Sequence, residues 1–157
     1  MRSDVISEYP LSRIAAWLKR KGTSAAFAGL AGLAAPGAQA DAVSRLCGSR
    51  VHVELCLDAD GRVTDFAHEL QACALGQASS SVMAREIIGS SAKDLHAVAG
   101  QMRAMLKENG PVPSLPDRPE KWKDLEVLTP VRDFHNRHAS TLLTFDAVED
   151  CLNQLGW

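Results

Sequence analysis

Residues 51–57 alternate apolar and polar side chains without a break, which is the pattern of a half-buried β-strand. The next four residues, Asp58-Ala59-Asp60-Gly61, have turn chemistry, because the glycine readily adopts a positive φ. Residues 62–70 then read as a return strand, with a less regular alternation. The segment therefore predicts an antiparallel hairpin in which Leu57 lies opposite Arg62.

Helical spacing of apolar residues replaces the alternation after Cys73. One predicted helix runs to about Ile88 and ends at Gly89, a second begins after the capping residue Ser91, and a last begins at about Ser140. Strands first and helices afterwards indicate an α+β fold. We expect a small antiparallel β-sheet, made of the hairpin and a possible third strand, covered by helices.

The N-terminal part of the chain has a different composition. Residues 11–21 predict a short amphipathic helix, and residues 22–40 are rich in Ala and Gly and predict a loose linker. A basic start, a weakly apolar middle and an A-x-A end also give residues 19–40 the parts of a secretory signal. We favour a variable N-terminal arm over residues 1–41 and a folded domain over residues 42–157.

Composition excludes several classes of function. The 157 residues are enough for one domain, and no apolar run approaches the ~18 residues of a membrane span. A net charge of −2 gives no support to nucleic-acid binding. Four cysteines without a CxxC pair fit neither a disulfide-dense secreted scaffold nor a zinc finger. Thiols in a reducing compartment, the cytoplasm, are the expectation.

The predicted hairpin brings two of the cysteines together. With Leu57 opposite Arg62, position 47 lies opposite position 72, so Cys47 and Cys73 leave the open end of the hairpin side by side. Neighbouring strands are about 4.8 Å apart, which is close enough for two thiolates to share a metal. Cys73 also precedes a helix, whose N-terminus favours a thiolate. The alternatives are a disulfide, or a Cys73 that packs as a small apolar residue.

The other two cysteines are predicted to lie outside this site. Cys56 is at the closed end of the hairpin, roughly 30 Å from Cys47 at the rise of an extended strand. Cys151 lies on the apolar stripe of the last predicted helix, beside Val148 and Leu155, where a buried structural thiol is expected.

Three segments resemble the NifU-like and IscU-type iron–sulfur cluster assembly scaffolds. The stretch from Ala72 to Met83, ACALGQASSSVM, resembles their second-cysteine motif, and Leu46-Cys47-Gly48-Ser49 resembles their first. Residues 130–132 and 137–143 resemble the segment around their third cysteine. The resemblance covers roughly residues 42–155 and implies the α+β fold of that family.

The resemblance also implies a ligand set, of which this chain keeps a part. In the family, three cysteines and an aspartate or nearby histidine hold a transient [2Fe–2S] cluster, or a zinc ion. Cys47 and Cys73 match two of the cysteines, whereas Ser49 stands where the aspartate is expected and Ser140 where the third cysteine is expected. We predict Cys47, Cys73 and His138 as metal ligands, with His135 as the alternative histidine.

The resemblance further implies a cysteine desulfurase as sulfur donor, apo iron–sulfur proteins as acceptors, no enzymatic turnover, and a monomer or weak dimer. A competing interpretation is a degenerate relative that lacks cluster assembly and acts as a protein-interaction module, which the two serines favour. A third, weaker one is a thiol enzyme with Cys73 as nucleophile, although no Cys/His/Asp triad spacing supports it.

Overall fold

The computed structural model describes residues 37–157 of the chain. The helix predicted over residues 11–21 and most of the predicted linker lie outside the described residues. Residues 38–40, which we assigned to the linker, instead begin a strand, so the linker prediction was wrong there. Ala38 and Ala40 are buried in the core, and their small side chains give this strand its inward face. The division into an arm and a domain stays a prediction.

The sheet has three antiparallel strands in the order β1-β2-β3: β1 is Ala38–Val43, β2 is Arg50–Leu57 and β3 is Val63–Gln71. β1 is the third strand, which the sequence analysis gave only as a possibility and without a position. Along β2, Val51, Val53 and Leu55 are almost fully buried, as the alternation predicted. The predicted hairpin and α+β class are confirmed.

The hairpin register differs from the prediction. Arg50 pairs with Gln71 and Leu57 with Val63, and the register shifts between Cys56 and Leu57. Leu57 therefore does not lie opposite Arg62, because the turn is one residue longer on the β3 side than we assumed. A shift of this kind is an irregularity at the strand end, and the alternation along β2 carries no signal of it.

Three α-helices follow the sheet: α1 is Ala74–Glu86, α2 is Ala92–Lys107 and α3 is His138–Gln154. Gly89, at φ 80°, follows α1 as predicted, and Ser91 caps α2 by accepting the Asp94 N–H at 3.1 Å. Two 3-10 helices, Lys123–Asp133 and His135–Arg137, connect α2 to α3. For this segment we predicted only a loop followed by a few apolar anchors.

α3 organises the core. It packs against β1 and β2 on one side and against α1 and α2 on the other. The largest buried side chains include Phe145 of α3, Leu55 of β2 and Trp122, which directly precedes the first 3-10 helix. The N-termini of α1 and α3 lie beside each other at one end of the sheet. No helix within residues 37–157 is long and apolar enough to cross a bilayer.

Candidate functional site

Cys47 lies in the loop between β1 and β2, not on a strand. The loop is closed by two backbone hydrogen bonds, from the Ser44 N–H to the Ser49 carbonyl and from the Gly48 N–H to the Ser44 carbonyl, both 2.8 Å. Gly48 takes a φ of 72°, which a residue with a side chain rarely adopts. The tight loop holds Cys47 at the surface, where its side chain is exposed.

Cys73 lies at the N-terminus of α1. It is the capping residue, with extended backbone and no side-chain capping hydrogen bond, so its thiol is directed to no backbone amide of the helix. The residue is partly buried. This placement just before a helix agrees with the sequence-based prediction.

Ser49 joins the two cysteine segments. Its Oγ lies 3.0 Å from the Cys47 Sγ and accepts the backbone N–H of Cys73 at 3.3 Å. No more than two hydrogen-bond lengths therefore separate the Cys47 sulfur from the Cys73 amide. The side chain of Ser49 is buried at this junction. The structure thus brings Cys47 and Cys73 together as predicted, but through a buried serine and a loop rather than through strand pairing.

The N-terminus of α3 completes the site. A methyl group added at Gly76, in the first turn of α1, would come within 2.7 Å of the Ala72 Cβ and 3.3 Å of the Ser140 carbonyl oxygen. The glycine therefore lets α1 approach α3 closely beside the cysteines. The hydroxyl of Ser140 donates to the Arg137 carbonyl at 3.0 Å and also interacts with the Cys47 thiol.

The surroundings of Cys47 favour its thiolate. Partial burial raises the pKa of the Cys47 thiol, but hydrogen bonds from Ser44, Ser49 and Ser140 outweigh that effect and lower the pKa to about 7. Ser49 is able to accept the Cys73 N–H and donate to the sulfur at once, which strengthens both bonds. Near neutral pH a large fraction of Cys47 is therefore a thiolate, the form that binds metal and attacks sulfur.

Sequence reasoning missed Ser44. Its hydroxyl is buried and has no hydrogen-bond partner among the described residues apart from its interaction with Cys47. A serine three residues before a cysteine is a weak signal on its own. Its position at the end of β1, facing a tight loop, became visible only once the third strand was placed.

The two remaining cysteines do not belong to the site. Cys151 is fully buried in α3, with its Sγ 3.8 Å from the Val53 carbonyl oxygen, and burial raises the pKa of its thiol to about 12. It is the structural thiol that we predicted. Cys56 lies at the far end of β2, beside the hairpin turn. No disulfide joins the cysteines, all of which fall within the described residues.

His138 lies away from the cysteines. It is buried, and its Nε2 lies 3.1 Å from the Val131 carbonyl oxygen and 3.2 Å from that of Arg132. It lines a separate cleft together with His135, whose ring centroid is 5.1 Å away. Residues two apart on a helix point about 200° apart, so His138 and Ser140 face opposite sides of α3.

The structure therefore does not bring our third predicted ligand to Cys47 and Cys73. Within residues 37–157, no three His, Cys, Asp or Glu side chains are grouped so that they could hold a metal ion. The sequence spacing placed His138 near the third-cysteine position, but it carries no information on which helix face the ring takes.

Comparisons with known proteins agree with this architecture. The profile of the NifU-like N terminal domain matches residues 24–140. A crystal structure of a nitrogen-fixing NifU-like protein (N-terminal) from Brucella abortus is 56% identical, with a TM-score of 0.74 over 79% of this chain and 82% of that one. A search of functionally curated proteins gave no match.

A more distant structure shares the fold. An iron–sulfur cluster assembly scaffold protein for the SUF system from Fervidobacterium islandicum is 20% identical, with a TM-score of 0.64 over 76% of this chain and 83% of that one. At that identity the likeness concerns the fold alone. From the profile match and the Brucella structure, the chain belongs to the NifU-like N-terminal domain family.

Proposed function

We propose that this chain is a scaffold or carrier in iron–sulfur cluster assembly and that Cys47 and Cys73 bind a transient [2Fe–2S] cluster. Membership of the NifU-like family supports the general role. The observation that carries the assignment to these residues is the contact of Ser49 with both cysteine segments. This contact holds the two cysteine segments together, and thiolates are the ligands that iron–sulfur clusters take from proteins.

The residues around the sulfur atoms serve binding rather than turnover. The hydroxyls of Ser44, Ser49 and Ser140 stabilise negative charge on Cys47, so that a large fraction of this thiol is already deprotonated for iron binding at neutral pH. Cys47 is exposed and accessible to a large protein partner. We infer that a cysteine desulfurase supplies sulfur there, in the cytoplasm, and that apo iron–sulfur proteins receive the product. A single bound iron or zinc ion is the simpler cargo.

The test is anaerobic reconstitution with ferric iron and sulfide, followed by desalting. Iron, acid-labile sulfide and visible absorption are then measured for the wild type, Cys47→Ser and Cys73→Ser. We expect a stable visible chromophore in the wild type and at least a tenfold lower iron content in both variants. Cys56→Ser is the matched control and should load like the wild type, because Cys56 lies at the other end of β2.

Two results would contradict the proposal. Iron retained in both single variants would show that the ligands are elsewhere. A wild type without stoichiometric iron, zinc or sulfide would favour the protein-interaction module instead. Ser140 favours that second function, because a neutral hydroxyl is a poor ligand for iron.

A further inference from the structure

Only one pair among the four cysteines of the chain, all of which the structure describes, lies together. Cys47, through its sulfur, and Cys73, through its backbone amide, both contact Ser49. Cys151 is fully buried in α3, and Cys56 lies at the far end of β2. Two neighbouring thiols are able to bind a metal together, but they are also the two halves of a disulfide. The site therefore has a second chemistry, which competes with metal binding for the same sulfur atoms.

Both cysteines are anchored to the same hydroxyl. The Ser49 Oγ lies 3.0 Å from the Cys47 Sγ and 3.3 Å from the Cys73 backbone nitrogen. The Cys73 Sγ follows that nitrogen after the Cα and Cβ atoms, so the two sulfurs are separated by no more than a few bond and hydrogen-bond lengths. Rotation about χ1 of the two residues changes this separation without moving a strand or a helix.

The Cys47 loop has room to adjust. Residues 44–49 lie between β1 and β2 and outside both strands, and Leu46, next to Cys47, is 74% exposed. A Cβ added at Gly48 would meet no atom within 4 Å, so the space beside the loop is open there. Closing a disulfide at this place is therefore expected to shift the loop and to leave the strands and helices where they are.

The two thiols differ in exposure. Cys47 is exposed to solvent, whereas Cys73 is partly buried and its side chain makes no capping hydrogen bond to α1. Cysteines that sense oxidants are accessible and lie next to a second thiol, which converts the first oxidation product into a disulfide. Cys47 fits the first role and Cys73 the second. The Ser49 hydroxyl is able to donate to negative charge that develops on the Cys47 sulfur during such a reaction.

We propose that a hydroperoxide converts the metal-free Cys47–Cys73 pair into a disulfide within one chain, and that this disulfide prevents metal binding until a dithiol reduces it. The effect on metal binding rests on the proposed function, whereas the formation of the disulfide does not.

The oxidation has two steps. The Cys47 sulfur attacks the O–O bond of the hydroperoxide, keeps one oxygen as a sulfenic acid, and the other oxygen leaves as water or an alcohol. The Cys73 sulfur then attacks the Cys47 sulfur. The S–S bond forms, the S–O bond breaks, and the oxygen leaves as water with the Cys73 proton. The two sulfurs together are oxidised by two electrons, which the hydroperoxide accepts.

Metal binding and the disulfide exclude each other. Metals take thiolates as ligands, so oxidation to the disulfide removes both predicted ligands at once. A metal bound to the two thiolates conversely occupies the sulfur that attacks the hydroperoxide, so the loaded site is expected to react more slowly than the empty one. Reduction follows thiol–disulfide exchange, in which the dithiol reductant itself becomes a disulfide.

Mass spectrometry of the metal-free chain tests the disulfide directly. The protein is treated anaerobically with hydrogen peroxide and unfolded, the remaining thiols are blocked with iodoacetamide, and the peptides are mapped without reduction. We expect a Cys47–Cys73 link at the intact mass of one chain, alkylated Cys56 and Cys151, and full reversal by dithiothreitol. A link between two chains, a sulfinic acid at Cys47, or unreacted thiols at both positions would overturn the inference.

Two variants separate the roles of the thiols. Cys73→Ser should leave Cys47 as a sulfenic acid, which dimedone traps, with about tenfold more of this adduct than in the wild type. Cys56→Ser is the matched control and should form the disulfide at the wild-type rate, because Cys56 lies at the other end of β2. Equal trapping of Cys47 in Cys73→Ser and in the wild type would contradict the role of Cys73.

Zinc binding by the oxidised and the reduced protein tests the consequence. Zinc is the probe because the sulfide used in reconstitution would itself reduce the disulfide. We expect about tenfold less bound zinc after oxidation and full recovery after reduction. Oxidised and reduced protein that bind zinc alike, or not at all, would overturn the inference. The proposed function is decided separately, by reconstitution of the reduced protein with iron and sulfide.

Discussion

At the scale of single residues, Ser49 has the largest influence on the site, because one buried hydroxyl contacts both cysteine segments. It positions the Cys73 amide and stabilises the Cys47 thiolate. The same contact shows how a serine at position 49 joins the two segments. We expect a metal bound at the site to be held by sulfur, and the serine hydroxyls stabilise the negative charge of the Cys47 sulfur.

The pKa of Cys47 leads to a prediction about its reactivity. Alkylation by iodoacetamide requires the thiolate, so its rate should rise with pH and reach half its maximum near pH 7. Ser49→Ala removes one stabilising hydrogen bond and should move this midpoint to higher pH. Peptide-resolved mass spectrometry measures the rate at Cys47 alone, and the buried Cys151 serves as an internal unreactive control. A midpoint above pH 8.5 in the wild type would contradict the stabilisation by hydroxyl groups.

The sequence predicted that the two cysteines lie close together, but it did not predict their polar surroundings. The proximity of Cys47 and Cys73 was predictable because the Asp-Gly turn determines which segments pair in the hairpin. The role of Ser44 and the orientation of His138 were not predictable from the sequence. Both depend on the direction of a side chain, in a loop for Ser44 and at the start of a helix for His138. His138 in particular shares a helix with Ser140 but faces away from it.

At the scale of elements, the close approach of α1 and α3 positions the cysteine loops, and Gly76 makes it possible. Gly76→Ala would place a methyl group against Ala72 and the Ser140 carbonyl, and we expect a loss of about 1–3 kcal/mol in the free energy of unfolding. Thermal unfolding followed by circular dichroism measures it, with an expected fall in Tm of about 4 °C or more.

Gly100→Ala is the matched control. Gly100 lies within α2, and a Cβ there would meet no atom within 4 Å. Replacing an exposed helical glycine by alanine is expected to stabilise the protein by about 0.5–1 kcal/mol. The two variants should therefore shift Tm in opposite directions. An unchanged or higher Tm for Gly76→Ala would show that α1 and α3 have room to separate.

The secondary structure was predicted with different success in different elements. Strand β2 and helix α2 were predictable because each has strong periodicity and clear end signals, such as the cap at Ser91. The strand register was not, since the shift next to Leu57 depends on the geometry of the turn. The position of β1 was missed because Ala38 and Ala40 have small side chains. Their composition indicated a linker, although both residues are buried.

At the scale of the whole molecule, three segments lie together at one end of the three-stranded sheet. They are the Cys47 loop, the N-terminus of α1 and the N-terminus of α3. The class of fold followed from the order of strand-like and helix-like patterns. The convergence of these three segments could not be predicted from the sequence, because it depends on the packing of α3 against both β1 and α1. That convergence brings together two cysteines that are 26 positions apart in the sequence.

X-ray absorption at the iron edge of the reconstituted protein tests the central claim most directly. If Cys47 and Cys73 are the ligands, the iron has sulfur neighbours, from the two cysteine thiolates and bridging sulfides, together with a short iron–iron distance. A first coordination shell of oxygen or nitrogen atoms alone, as expected if serine, histidine or water bound the iron in place of the cysteines, would contradict it.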